Sequence, residues 1–274
     1  MPLDAGTEQL LAELPAVSLE QLDERAALLR RTDTKYVLQL DAFAELLRKL
    51  SADHEALEID SRRMFAYESV YFDTADLRCF RDHVEGRTPR FKARTRHYRD
   101  TGHCVFEVKL KLGDGETDKR QSDHPPDATE RLSGDAEECL REALQSAGLQ
   151  LPPEPLRASL RTNFDRVTLA RADAAERATC DLDLTLSRHA AASARLQPGM
   201  VVVETKSEHG DGPADGALRE LGVEPISLSK YRTGMALLAP EAQDPEGSRP
   251  SERYFSVELQ GAAAERFSRG RRRP

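Results

Sequence analysis

The run from Arg90 to Lys111 constrains the fold more than any other part of the chain. It reads R-F-K-A-R-T-R-H-Y-R-D-T-G-H-C-V-F-E-V-K-L-K. Successive side chains of a strand point to opposite faces. Arg90, Lys92, Arg94, Arg96 and Tyr98 therefore share one face, and Phe91, Ala93, Thr95 and His97 share the other. Asp100, Thr101 and Gly102 supply turn chemistry for a hairpin. The return strand sets Glu107, Lys109 and Lys111 against Phe106, Val108, Leu110 and Leu112. Two paired strands thus carry a row of cations with one carboxylate on one face and an apolar stripe on the other. An amphipathic hairpin with its charged face in water satisfies this pattern. So does a charged face turned inward to hold a polyanion.

The same parity recurs along the chain. Arg31, Asp33 and Lys35 alternate with Thr32, Thr34 and Tyr36, and a later run groups Phe164, Arg166 and Thr168. Arg177, Thr179, Asp181 and Asp183 oppose Cys180, Leu182, Leu184 and Leu186, while Glu204 and Lys206 share a face with Val202. A further strand is expected over 62–74. Helical patterns lie between: from a capping box of Ser18 and Gln21 to about Arg30, from a cap at Asp41 through Leu50, over 135–147, and from the S-K-Y segment to about Leu238. Residues 1–16 read as loosely ordered, 121–133 as a loop, and 240–274, closing on R-G-R-R-R-P, as a disordered tail. If the sheet curls and closes, its charged faces line a tunnel and the helices cover the outside. A tunnel lined by cations needs a polyanion to fill it, and carboxylates such as Glu107, Asp181, Asp183 and Glu204 among them suit a hard divalent ion held together with phosphate oxygens.

Composition narrows the partners. The net charge of −8 makes the basic clusters local features and excludes general attraction to nucleic acid or membranes. Arginine is the default cation, 32 against eight lysines, yet Lys35, Lys92, Lys109, Lys111, Lys119, Lys206 and Lys230 all fall in or beside strand-like stretches. A compact ammonium kept there points to places where a guanidinium does not serve. No apolar run reaches membrane-spanning length and no signal peptide opens the chain, so a cytoplasmic location is expected. Cys79, Cys104, Cys139 and Cys180 stand too far apart for a zinc site, and no P-loop occurs.

Six motifs in order, R-T-D-T-K-Y, Y-F-D-T, K-A-R-T-R-H-Y, F-E-V-K, V-V-E-T-K and S-K-Y, resemble the VTC domain. This is the polyphosphate polymerase domain of the vacuolar transporter chaperone complex, within the CYTH-like triphosphate tunnel metalloenzymes. The resemblance covers roughly residues 28–238, and the domain is expected over 17–239. It implies an α+β fold: an antiparallel, roughly eight-stranded β-tunnel, a closed barrel with a charged interior and helices packed outside. It implies transfer of the γ-phosphate of ATP to a growing inorganic polyphosphate chain. Lys35, Arg94, Arg96, Lys109, Arg166 and Lys230 match the catalytic cations of the family. Lys92, Lys119, Arg177, Lys206, Ser229 and Tyr231 are candidate substrate-binding residues. Glu204 matches the metal-binding glutamate, with Glu107 a second carboxylate, for Mn²⁺ or Mg²⁺. Phe164 stands where the family commonly has Tyr, and Asp33 where it usually has Glu. The chain resembles a stand-alone bacterial-type member, without the regulatory SPX domain or membrane helices; its oligomeric state is left open. Two other activities fit the same residues: a metal-dependent triphosphatase that releases orthophosphate, and a non-catalytic polyphosphate- or nucleotide-binding module.

Overall fold

Alternating side chains become strands here because each strand buries its apolar parity under a helix. The computed structural model describes residues 3–25, 32–113, 116–188, 192–239, 241–242, 244 and 253–259. Its first elements are α1 (Ala5–Glu13), β1 (Ala16–Val17), α2 (Leu19–Arg25), β2 (Thr32–Gln39), α3 (Leu40–Leu50), β3 (His54–Leu57), β4 (Met64–Asp73) and α4 (Arg78–Val84). The hairpin follows as β5 (Arg90–Tyr98) and β6 (His103–Lys111), then β7 (Thr117–Asp123) and α5 (Gly134–Ser146). The remainder is β8 (Arg157–Arg171), β9 (Arg177–Arg188), β10 (Ala192–Leu196), β11 (Met200–Ser207), α6 (Pro213–Glu220), α7 (Lys230–Leu238) and β12 (Phe255–Leu259). The described residues group into two compact units. The first is drawn from Met1–Phe65, Phe164–Leu184 and Leu196–Ser227, the second from Ala66–Asn163, Thr185–Arg195 and Leu228–Pro274.

In the first unit β11 is central, antiparallel to both β2 and β9; β3 runs antiparallel to β8 and parallel to β1. Tyr36, Leu38, Val167, Leu169, Cys180, Leu182, Val201 and Val203 form one apolar face. It packs on Phe43, Leu46, Leu47 and Leu50 of α3, Leu11 of α1 and Leu218 of α6. Each fully buried Leu contributes about 2 kcal/mol, so the apolar parity of this sheet is firmly specified. The Ser18–Gln21 capping box forms as expected, with Gln21 N donating to Ser18 Oγ at 3.2 Å and Ser18 N to Gln21 Oε1 at 3.1 Å. The cap of α3 is Gln39 rather than Asp41, which lies in the first turn. Residues 3–16 are better ordered than expected: Asp4 caps α1 through Thr7 N at 2.9 Å, and Leu11 and Leu14 are buried. Arg63 Nη1 then donates to the carbonyls of both.

In the second unit β4, β5, β6 and β7 form an antiparallel meander. Val70, Phe72, Phe91, Ala93, Phe106, Val108 and Leu110 face Ala136, Leu140, Ala143 and Leu144 of α5. The hairpin turn lies where the sequence placed it, with Gly102 at φ 70° and Tyr98 opposite His103. β7 occupies part of the expected loop. It is an edge strand, exposed at most positions, and has no apolar parity to reveal it. Within the segment expected as a disordered tail, β12 joins β10, Phe255 is buried, and Asp244 accepts two bonds from Arg232 of α7. Residues 240, 243, 245–252 and 260–274 lie outside the described residues.

The sheet is α+β in context and antiparallel, as expected, but hydrogen bonds among the described residues do not close it. β9 explains part of this. It pairs with β11 through Asp181 and with β10 from Thr185. Between these, Asp183 adopts φ 50° and is exposed. Asp183 therefore leaves the charged row in which strict alternation had placed it.

Candidate functional site

The polar face of the first unit follows from the register of three strands. Lys35 of β2 lies opposite Glu204 of β11, and Asp33 opposite Lys206. On the other side of β11, Glu204 faces Thr179 and Lys206 faces Arg177 of β9. Lys35 Nζ is 2.8 Å from Glu204 Oε1. Lys206 contacts Glu204 Oε2 and lies 3.5 Å from Thr179 Oγ1. Arg166 of β8 holds Asp181 through Nε to Oδ1 at 2.6 Å and Nη2 to Oδ2 at 2.9 Å, with its guanidinium 5.0 Å from the Phe164 ring centroid. Asp181 is 2% exposed and Lys206 7%. A charged row facing open water would not be covered to this degree, so the amphipathic-sheet alternative fails here. Burial pushes the Glu204 carboxyl up, but the Lys206 and Lys35 ammoniums outweigh it and hold the group well below the usual carboxylate range. Burial and the neighbouring Arg166 bring Lys206 down to about 8 against the pull of Glu204.

The polar face of the second unit is built on β4, β5, β6 and β7. One cross-strand row is Tyr71, Arg94, Glu107 and Gln121; a second is Lys92, Lys109 and Lys119; a third begins with Ser69 and Arg96. Arg94 donates from Nε to Glu107 Oε2 at 2.6 Å and from Nη1 to the Tyr71 hydroxyl at 3.0 Å. Arg96 Nε lies 3.6 Å from the same carboxylate, and Lys119 Nζ 3.8 Å from Glu107 Oε1. Lys92 Nζ is 3.1 Å from Ser229 Oγ and 3.3 Å from His83 Nε2. Ser229 caps α7, whose first residue is Lys230. Burial pushes the His83 imidazole down to about 3, helped by Lys92 and Arg90, so it stands neutral beside Lys92.

Most of the expected site residues thus gather in two clusters. Lys35, Arg166, Arg177, Glu204 and Lys206 share the polar face of the first unit. Lys92, Arg94, Arg96, Glu107, Lys109, Lys119, Ser229 and Lys230 belong to the second. Lys109 and Lys119 stand exposed, at the margin of their cluster. Tyr231 is placed otherwise than a substrate contact requires: it is 1% exposed, stacks on Tyr71 at 5.1 Å and donates its hydroxyl to Asp73. Asp73 also accepts from the Cys79 and Phe80 amides of α4 at 2.8 and 3.0 Å. Tyr231 therefore anchors the start of α7 and so fixes Lys230. The sequence reading passed over Tyr71, Ser69 and Asp73, although the parity of Y-E-S-V-Y-F-D sets all three on one face of β4.

The donor chemistry for a metal is oxygen from isolated carboxylates. Among the described residues no three acidic, histidine or cysteine side chains gather into a cage. Both oxygens of Glu204 already contact ammonium groups. An ionised, hard oxygen donor of this kind fits Mn²⁺ or Mg²⁺ that arrives with, and is completed by, phosphate oxygens.

Over residues 30–239 the sequence matches the description of the VTC domain. The chain belongs to the VTC domain family. Residues 30–239 span every strand of both polar faces, so the six motifs identified the family correctly. No curated protein matches. A candidate adenylyl cyclase from Hippeastrum, reported with a dominant triphosphatase activity, is 16% identical at a TM-score of 0.50, covering 74% of this chain and 94% of that one. Candidate adenylate cyclases from Bacillus halodurans (12% identity, TM-score 0.48, covering 73% of this chain and 94% of that one) and Vibrio parahaemolyticus (12%, 0.42, 76% and 98%) are also similar. The Hippeastrum likeness establishes a shared fold for this VTC domain. No helix among its described residues is long and apolar enough to cross a membrane.

Proposed function

We propose that this VTC domain, over residues 17–239, is a polyphosphate polymerase acting in the cytoplasm. It would break the bond between the γ-phosphorus of ATP and the bridging oxygen, releasing ADP, and join that phosphoryl group to the terminal oxygen of an inorganic polyphosphate chain. The observation that carries the reading is the pair of cation-rich polar faces in a chain of net charge −8 that belongs to the VTC domain family. Phosphoryl transfer is largely positioning and charge neutralisation. Arg94, Arg96, Lys109 and Arg166 hold phosphate oxygens, while Lys35 and Lys230 neutralise charge on the transferred group and the leaving ADP. Lys92, Lys119, Arg177, Lys206 and Ser229 contact the phosphates further along. Glu204 on the first unit, and Glu107 as a further carboxylate on the second, would each offer oxygen to Mn²⁺ or Mg²⁺, which when bound neutralises phosphate charge. The acceptor is already anionic, so no strong general base is required.

A second reading, a metal-dependent triphosphatase that uses water as acceptor, is favoured by the triphosphatase activity reported for the Hippeastrum protein of the same fold. Incubation of the protein with ATP and Mn²⁺, assaying long-chain polyphosphate and orthophosphate together beside Glu204→Ala, separates these. Polymer that disappears in the variant supports the polymerase. Orthophosphate alone makes the protein a triphosphatase, and ATP binding without either product leaves a binding module.

A further inference from the structure

We infer that two hydroxyls of β4, Tyr71 and Ser69, are phosphate-oxygen donors that complete the cationic face of the second unit. The inference rests on the reading that this face binds a condensed phosphate, and it names neutral groups that no cation motif contains.

Tyr71 and Ser69 lie two residues apart on the polar parity of β4, and their cross-strand partners are Arg94 and Arg96. Tyr71 is 6% exposed and Ser69 2%. The Tyr71 hydroxyl accepts from Arg94 Nη1 at 3.0 Å, and its own proton has no acceptor among the described residues. Ser69 Oγ is buried without a hydrogen-bond partner, and so is Arg96 Nε, whose nearest carboxylate oxygen is 3.6 Å away. Buried polar groups are nearly always paired, because an unmet donor has given up its hydration without a replacement. Three such groups at adjacent register positions share one missing element, an acceptor.

Charge decides what that acceptor is. Burial pushes the Tyr71 phenol up, yet Arg94, Lys230 and Arg96 outweigh burial and leave it more acidic than a free tyrosine. A neutral carbonyl or hydroxyl would not offset that field, whereas an anionic oxygen does. Glu107 supplies one carboxylate, already committed to Arg94 and near Arg96 and Lys119. The cations of this cluster, with Lys92, Lys109 and Lys230, outnumber it. Tyr71 is held by its stack on Tyr231 and by the Arg94 guanidinium 5.7 Å from its ring centroid. Its donor is therefore fixed before the anion arrives, at little entropic cost. Hydroxyls also add direction: they reward an oxygen at one position, where a surplus of cations rewards any negative charge.

The test is calorimetric titration of Tyr71→Phe and Ser69→Ala with inorganic tripolyphosphate, at several salt concentrations, beside thermal melting. Tyr71→Phe keeps the ring stack and Ser69→Ala nearly the volume. Each variant is expected to bind about tenfold more weakly, the scale of one hydrogen bond to a charged group, with an unchanged melting temperature in Ser69→Ala and a small drop in Tyr71→Phe, which loses the bond from Arg94. The dependence of affinity on salt should stay that of the parent, because no charge has been removed. A merely structural role would lower the melting temperature and leave affinity alone. Parent-like affinity in both variants overturns the assignment of the hydroxyls. Failure of the parent itself to bind tripolyphosphate overturns the phosphate-binding reading of the face with it. Should one variant melt early, the other decides.

Discussion

At the level of single residues, the site couples Glu107, Asp181 and Glu204 each to at least one cation. Glu107 shows what that coupling does. Burial raises its carboxyl, but Arg94 and Arg96 prevail and bring it from the ordinary 4.5 down to about 2. A group depressed in the folded state contributes stability that is present above its ordinary value and is lost as pH falls through the folded one. The stability of the protein should therefore fall between about pH 4.5 and pH 2, more steeply than in Glu107→Gln, as measured by denaturant melts across that range. Equal slopes would show that the carboxylate is not held by its arginines. The cations themselves were legible because strand parity names them. Tyr71 and Ser69 were not, since a lone hydroxyl in an alternating strand carries no charge to stand out. Their significance lies in unmet hydrogen bonds, which depend on neighbours brought beside them by the pairing of β4 with β5.

Elements place these residues by a few close approaches. α7 carries Lys230 at its first turn and lies against β8 so tightly that a Cβ on Gly234 would meet Leu160 Cδ2 at 2.5 Å and Cγ at 3.2 Å. Both positions are buried. Gly234→Ala gains about 1 kcal/mol of helix propensity, but overpacking a core costs about 1–3 kcal/mol. A net loss of about 1 kcal/mol is expected in chemical denaturation, since rotation of the Leu160 methyls cannot move its Cγ. A more stable variant would show that the helix backs away freely. The long helices α3 and α5 and the hairpin β5–β6 were readable from periodicity. β7 and β12 were not: an edge strand needs no buried parity, and β12 pairs with β10, remote in sequence.

For the whole molecule, charge is the property that distinguishes local from general attraction. The chain carries −8, while clusters of its cations lie on the polar strand faces of the two units. A polyanion is then held at short range and repelled at long range. Tripolyphosphate affinity should fall several-fold between about 0.05 and about 0.3 M salt, as the screening length shrinks toward contact distance. Calorimetry at both concentrations checks this. Affinity indifferent to salt would mean that hydrogen bonding, rather than charge, holds the ligand.

The sequence alone determined the family, through six motifs in order, and with that resemblance the antiparallel α+β class. Which side chains share a face follows from local periodicity, because alternation is printed in the order of residues. Only the tertiary structure decided which cation meets which carboxylate, that Tyr231 anchors a helix, that Asp183 turns out of its row, and that residues beyond 240 add a strand. Each of these depends on register and burial. Register aligns residues far apart in the chain, as it sets Lys35 beside Glu204, and burial determines whether a charge or hydroxyl must find a partner there.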